Sequence, residues 1–250
     1  MPSPRTPSLQ EQIAATQDWW RLAGVDMMFS DDPKSWLADQ QADTAALPVQ
    51  RIEEAPAEPP PPSIGGESAN WPTSLEAFSR WWLEEPTLDR AGPGPRLAPR
   101  GPQGAPLAIV VPMPEAEDSD TLLSGRQGQL IVSMARAMGF DPDKLYLAAA
   151  LPSHDPVPDW PGLGRDGMGD VLRHHLSLAA PERLIVLGRD ILPLLSNGSA
   201  QPAPPVGEIE IQGGKLPLMT SYSPARLLEQ PRLRKGLWQQ WLDWTEGNRH

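Results

Sequence analysis

The sequence predicts an α/β protein, a three-layer αβα sandwich around a central, mainly parallel four-stranded sheet. Short, continuously apolar runs recur along its second half, as strands buried on both faces require. Stretches with helical spacing of apolar residues separate them. Glycine and proline punctuate nearly every junction between the two. Strand, helix, strand, helix in succession implies parallel strands joined by crossovers, with helices on both faces.

Taken in order, Ser8-Leu9-Gln10-Glu11 reads as a capping box. Leu9, Ile13 and Trp20 follow at helical spacing and Gly24 is a stop signal, so residues 1–30 form an N-terminal helical segment. Residues 31–72 read as an acidic, proline-rich disordered linker, with Ala55–Pro62 as extended polyproline. Residues 73–250 form the folded domain. Thr73-Ser74-Leu75-Glu76 is a second capping box, followed by Phe78, Trp81 and Trp82 on one broad face. A proline- and glycine-rich loop, 91–106, leads to the first buried strand, 107–111. Helix 127–138, closed by Gly139, precedes strand 145–151; helix 166–178 precedes strand 184–187. Gly188 and a helix to Leu195 follow. Residues 208–211 and 216–219 flank Gly213-Gly214 as a hairpin whose second arm joins the sheet. A final helix, 233–245, puts Leu237, Trp241 and Trp244 on one side.

Composition narrows the chemistry. The 250 residues include no cysteine. Disulfides, thiolate metal sites, cysteine-ligated iron–sulfur clusters and cysteine nucleophiles are excluded, and no cofactor is expected. The net charge of −11 argues against a general nucleic-acid coat. The charge is uneven: residues 1–72 hold eleven acids against four bases, which leaves only −4 for the remainder and room for a local phosphate-binding rim. The N-terminus lacks an apolar secretory core, and the longest apolar run, 145–151, is too short to span a bilayer. A cytoplasmic protein without membrane contact is the expectation.

Ligands in parallel sheets bind beyond the carboxyl ends of the strands. There the chain carries Pro112-Met113-Pro114-Glu115-Ala116-Glu117-Asp118, then Leu123-Ser124-Gly125-Arg126-Gln127-Gly128. Tyr146-Leu147-Ala148-Ala149-Ala150-Leu151 closes the second strand, and Ser223-Pro224-Ala225-Arg226-Leu227-Leu228 follows the last. In order and spacing these segments resemble the uracil-DNA glycosylase superfamily, closest to its bacterial and archaeal iron–sulfur (family 4-like) group. The similarity covers about residues 107–245, and more weakly Trp19–Asp26. Pro114, the acidic pair Glu117-Asp118, Gly125 and Gly128 match the family's first motif. Its glutamate falls on Pro112 and its two glycines on Val111 and Glu115. The aromatic that stacks on uracil falls on Leu123, the asparagine that reads the base edge on Ala149, and the histidine of the final loop on Ser223, with Pro224 and Arg226 after it. The resemblance also implies four cluster cysteines that tie the loops together. With none present, the loop 91–106 and the segment near Ser153 must be held by packing or left mobile.

Base excision needs a flipped base held, stacked and read, with charge stabilised as the glycosidic bond breaks. A leucine lacks an aromatic face, an alanine side chain neither donates nor accepts, and a serine cannot carry positive charge. Glu117, Asp118 and Ser223 remain the weak catalytic candidates. Pro112, Pro114, Leu123, Gly125, Gly128, Ala149, Ser223, Pro224 and Arg226 remain for substrate or DNA. Adjacent acids in a loop are more often solvated than catalytic. Ser223, backbone amides at a helix start and Arg226 could grip a phosphate. His174-His175 suits neither metal nor a shared face, Ser153-His154-Asp155 is contiguous and so no triad, and Gly213-Gly214-Lys215 lacks P-loop spacing. The expected role is therefore a glycosylase-like protein with impaired catalysis and a DNA-associated or protein-binding task linked to DNA repair. DNA and a protein docked on the N-terminal helix are its expected partners. An active divergent glycosylase and a protein-only interaction module are the competing readings.

Overall fold

The structure is a computed structural model, and it describes residues 8–22, 63–91, 94–195 and 205–247. The chain divides into two units, Met1–Glu58 and Pro59–His250.

In the first unit the described element is helix α1, Leu9–Leu22. The capping box forms as its sequence requires. The Ser8 backbone N–H and hydroxyl both donate to Glu11 Oε2, at 2.7 and 3.0 Å, and the Glu11 N–H donates back to Ser8 Oγ. These bonds hold the Glu11 carboxyl below the usual glutamate range. Gly24, read as the helix stop, and residues 31–62 of the linker lie outside the described residues.

The second unit contains α2 (Leu75–Glu84), β1 (Leu107–Val111), α3 (Arg126–Ala137), β2 (Leu145–Ala149), α4 (Trp160–Arg165) and α5 (Met168–Ala179). After these come β3 (Leu184–Leu187), α6 (Leu192–Leu195), β4 (Val206–Ile211), β5 (Gly214–Ser221), α7 (Pro224–Glu229) and α8 (Arg232–Gly247). The packed chain starts upstream of the second capping box. Ile64 is buried and its N–H donates to the Asp166 carbonyl, while the Trp71 indole N–H donates to Gly65 O. The folded domain thus takes in residues 63–72, which composition alone assigned to the linker.

The sheet has five strands in the order β2-β1-β3-β5-β4, not four. The first four are parallel. The fifth, β4, pairs antiparallel with β5 along its whole length, because the turn at Gln212-Gly213 lets both arms of the hairpin join. Side chains alternate between two cores, as the strand period of two demands. Ala108, Val110, Tyr146, Ala148, Leu184 and Val186 enter the core under α2 and α5. Leu107, Ile109, Leu145, Leu147, Ile185 and Leu187 enter the opposite core with Ile131 of α3 and Trp241 of α8.

Residues 94–106 of the proline- and glycine-rich loop are held without any cysteine. The Trp82 indole N–H donates to Leu97 O, Leu97 N–H to Pro152 O, and Arg100 exchanges two backbone bonds with Leu147. That pairing covers the otherwise open edge of β2. Among the described residues, no helix is long and apolar enough to cross a membrane.

One polar pair lies inside the first core. The Tyr146 hydroxyl and His175 Nε2 share a hydrogen bond of 2.6 Å, and His175 stacks on Phe78 at 4.3 Å. The other ring nitrogen, Nδ1, is buried with no partner. Burial, with a smaller contribution from neighbouring His174, lowers the His175 pKa to about 3. Burial also pushes the Tyr146 hydroxyl well above the usual tyrosine range. The imidazole is therefore neutral when folded, whereas the unfolded chain takes up its proton below pH ~6.5. The unfolded state binds more protons in that window, so this site's contribution is intact above pH ~6.5. As pH falls it is lost at up to about 1.4 kcal/mol per pH unit. Urea unfolding should show this slope between roughly pH 6.5 and 5, and the double variant His175→Phe/Tyr146→Phe should flatten it. His175→Phe alone should cost about 1–3 kcal/mol, since it strands the Tyr146 hydroxyl.

Candidate functional site

The carboxyl ends of β1, β2, β3 and β5 lie side by side, which brings the segments after Val111, Ala149, Leu187 and Ser221 to one edge. The loop after β1 is organised by two buried carboxylates. Asp118 is 4% exposed and both its oxygens are occupied. Oδ2 accepts from the N–H groups of Glu115 (2.9 Å) and Leu123 (2.7 Å). Oδ1 accepts from the N–H and hydroxyl of Ser124, at 2.8 and 2.7 Å. Glu115, equally buried, accepts from the N–H groups of Gly125, Gln127 and Gly128 at 2.9–3.0 Å. It therefore occupies the start of α3, where unsatisfied amides favour an anion. Glu117 is exposed. The expected acidic pair is thus split, one member in solvent and the other saturated by the loop.

The matched glycines have a direct physical reason. A Cβ on Gly128 would overlap the Leu123 carbonyl, and one on Gly125 would press on the Glu115 carboxylate at 2.8 Å. Close approach of the loop to the helix leaves no room for either. Leu123 itself has a left-handed backbone, φ +58°, and its side chain is buried.

Leu123 packs with Val111, Ala149 and Leu187 in one apolar cluster, all of them buried. Of these, Leu123 is the position where the resemblance expects a stacking aromatic and Ala149 the one where it expects a base-reading asparagine. Pro112 lies across from Gly188 at the exit of β3, and its carbonyl accepts from Leu151 N–H. Pro114 is buried, and its carbonyl accepts a 2.9 Å bond from His154 Nδ1. That bond fixes the His154 proton on Nδ1 and joins the loops after β1 and β2. An open cleft of about 300 Å³ lies beside it, lined by Pro114, Glu115, Ala116, Asp118, His154 and Pro156. A larger cleft of about 660 Å³ lies elsewhere, bounded by Ile64, Trp71, Asp170, Arg173, His174 and Gln212.

At the end of β5, Ser223 caps α7. Its Oγ accepts from Arg226 N–H at 3.4 Å, and Pro224 takes the first helical position. Arg226 is exposed, with its guanidinium 5.0 Å from the Tyr222 ring centroid. Arg189, just past β3, sits 4.5 Å from the same ring. Two cations and an aromatic ring thus meet beside the Ser223 loop.

Sequence reasoning missed Glu115, His154, Arg189 and Tyr222. The signal for Glu115 was present as an acid at a motif glycine. The other three had no signal beyond lying one or two residues past strand ends or in the loop that follows. His154 makes no triad with Asp155, whose carboxylate accepts from Val157 N–H instead. His174 and His175 reach separate partners, Pro72 O and Tyr146. Among the described residues no group of histidine, aspartate and glutamate could hold a metal ion.

Neither known protein families nor curated proteins give any match to this chain.

The split of the acidic pair has a measurable consequence. Asp118→Ala strands at least two buried N–H groups and should cost roughly 3 kcal/mol or more. Glu117→Ala should change stability by less than about 0.5 kcal/mol. Gly128→Ala should cost at least about 1–3 kcal/mol through overpacking. Chemical denaturation of the three variants checks the order.

Proposed function

We propose that this chain is a catalytically inert relative of the uracil-DNA glycosylases, retained as a scaffold for protein docking in DNA maintenance, with limited contact to DNA. The observation that carries this reading is the state of Asp118. A carboxylate offers about four acceptor sites, and here four internal donors fill them. It has no lone pair left to orient a water. Burial of Leu123 and Ala149 supports the same view, because neither side chain offers a base an aromatic face or a polar contact.

Helix α1 supports the protein-docking part. It has no buried residue, and Leu9, Ile13, Trp19 and Trp20 are each about half exposed or more. A 14-residue helix is marginal alone in water, so a partner that covers this apolar surface would stabilise it. Contact with DNA is supported by Arg189, Tyr222 and Arg226, a cationic spot on an otherwise acidic molecule.

Incubation with uracil-containing single- and double-stranded oligonucleotides should leave no abasic sites. Multiple turnovers that Asp118→Asn abolishes would reject the scaffold reading. Binding of a labelled single strand at low salt should be weak and salt-sensitive. Arg189→Ala and Arg226→Ala should each lower the slope of log affinity against log salt by about 0.7. Unchanged slopes in both would remove DNA from the proposal and leave protein docking alone.

A further inference from the structure

We infer that the groove between α3 and α8 is a docking site for a partner segment that carries large apolar side chains flanked by acidic residues. The groove, about 430 Å³, is lined by Met134 and Ala137 of α3 and by Leu237 and Trp238 of α8, with Arg234 and Lys235 beside them. Trp238 is 38% exposed and Leu242, one turn further along α8, is 37% exposed. Leu237 and Trp241 of the same helix are buried in the core, so α8 has already satisfied its inward face. Its outward tryptophan and leucine extend the apolar floor of the groove to the surface.

Charge selects the occupant. The whole chain has eleven more acids than bases. Yet α3 contains Arg126 and Arg136 and no acid, and α8 from Arg232 to Leu242 contains Arg232, Arg234 and Lys235 and no acid. Lys235 is exposed, with no ion-pair partner among the described residues. Arg234 is oriented by the bond from its Nε to Leu227 O, at 2.8 Å. Cations beside an apolar groove fit apolar anchors with acidic neighbours, the pattern of helix-in-groove recognition. Nucleic acid fits less well, since a single tryptophan over methionine, alanine and leucine is no run of stacking platforms. The groove uses the C-terminal half of α3, the end away from the loops after β1 and β2. The inference therefore stands independently of the glycosylase likeness.

Selection from a displayed random peptide library on the full chain tests it. Enriched peptides should combine Asp or Glu with Trp, Phe or Leu. A fluorescein-labelled copy of the strongest should bind more weakly as salt rises. Trp238→Ala should weaken it at least about tenfold, as expected of an aromatic anchor, and Lys235→Glu should also weaken it. Both positions are exposed, and unchanged melting temperatures would show the variants folded. No enrichment, enriched peptides without that pattern, or peptides indifferent to both substitutions would overturn the inference. So would a labelled oligothymidine strand that binds through Trp238 when no peptide does, or a dimer in sedimentation that Trp238→Ala dissolves.

Discussion

A parallel strand has to bury both faces, and most of this molecule follows from that constraint. Crossover helices must lie above and below the sheet. Each strand sends alternate residues into two separate cores, and Ala108, Val110 and Ile109 show the division within one strand. Apolar side chains fill most of the interior, so polar side chains are gathered mainly in the loops beyond the strand ends. What those loops do then depends on how they are braced. Here the brace is internal: Glu115 and Asp118 turn inward and bind seven donors of the loop and the start of α3.

That brace sets structure against catalysis. A carboxylate that organises a loop by accepting backbone N–H groups is useful because its acceptors are used up. A carboxylate that activates water needs a free acceptor aimed at open space. Asp118 has taken the first role, and Glu117 in solvent has no fixed geometry for the second. Nearby, the side chains of Leu123 and Ala149 are buried in the apolar cluster, where neither can make a polar contact. The loop can approach α3 closely because positions 125 and 128 are glycines.

Much of the fold was legible in the residues. Continuous runs such as Leu107–Val111 and Leu184–Leu187 were read as strands buried on both sides and form them, and the capping box of α1 places its helix start. At α2 the box read from Thr73 to Glu76 is off by one residue, because Ser74 is the cap and its Oγ accepts from Ala77 N–H at 3.3 Å. Helix α4 was not legible, because Trp160-Pro161-Gly162-Leu163-Gly164-Arg165 has neither propensity nor period. It forms through the Asp159 cap and the burial of Leu163. The fifth strand was read as the first arm of the hairpin but not counted in the sheet; it extends the sheet because it pairs with β5 along its whole length, at an edge where only Ile209 is fully buried. At the site, Gly125, Gly128 and Pro114 were singled out by the motif resemblance, and for the two glycines the structure supplies a steric reason. Arg189 and Tyr222 were not, because they are distant in sequence. They meet only through the parallel pairing of Leu187 with Ser221.

The distribution of polarity argues further for a scaffold. An enzyme of this architecture would concentrate its unsatisfied polar groups in a cleft at the carboxyl edge. Among the described residues the buried side-chain nitrogen without a partner is His175 Nδ1, sealed between Phe78 and Tyr146 in the core. At the carboxyl edge the Glu115 and Asp118 carboxylates are satisfied by donors of their own loop and of α3. Exposed apolar area lies instead on helices, at Trp19 and Trp20 of α1 and at Trp238 and Leu242 of α8. Large aromatic residues left on helical surfaces cost solubility unless a partner covers them, and tryptophan is among the residues that contribute most when it does. Exposed aromatic side chains on helices, beside a loop whose carboxylates are already saturated, are consistent with the proposed role of a protein that holds other molecules in place.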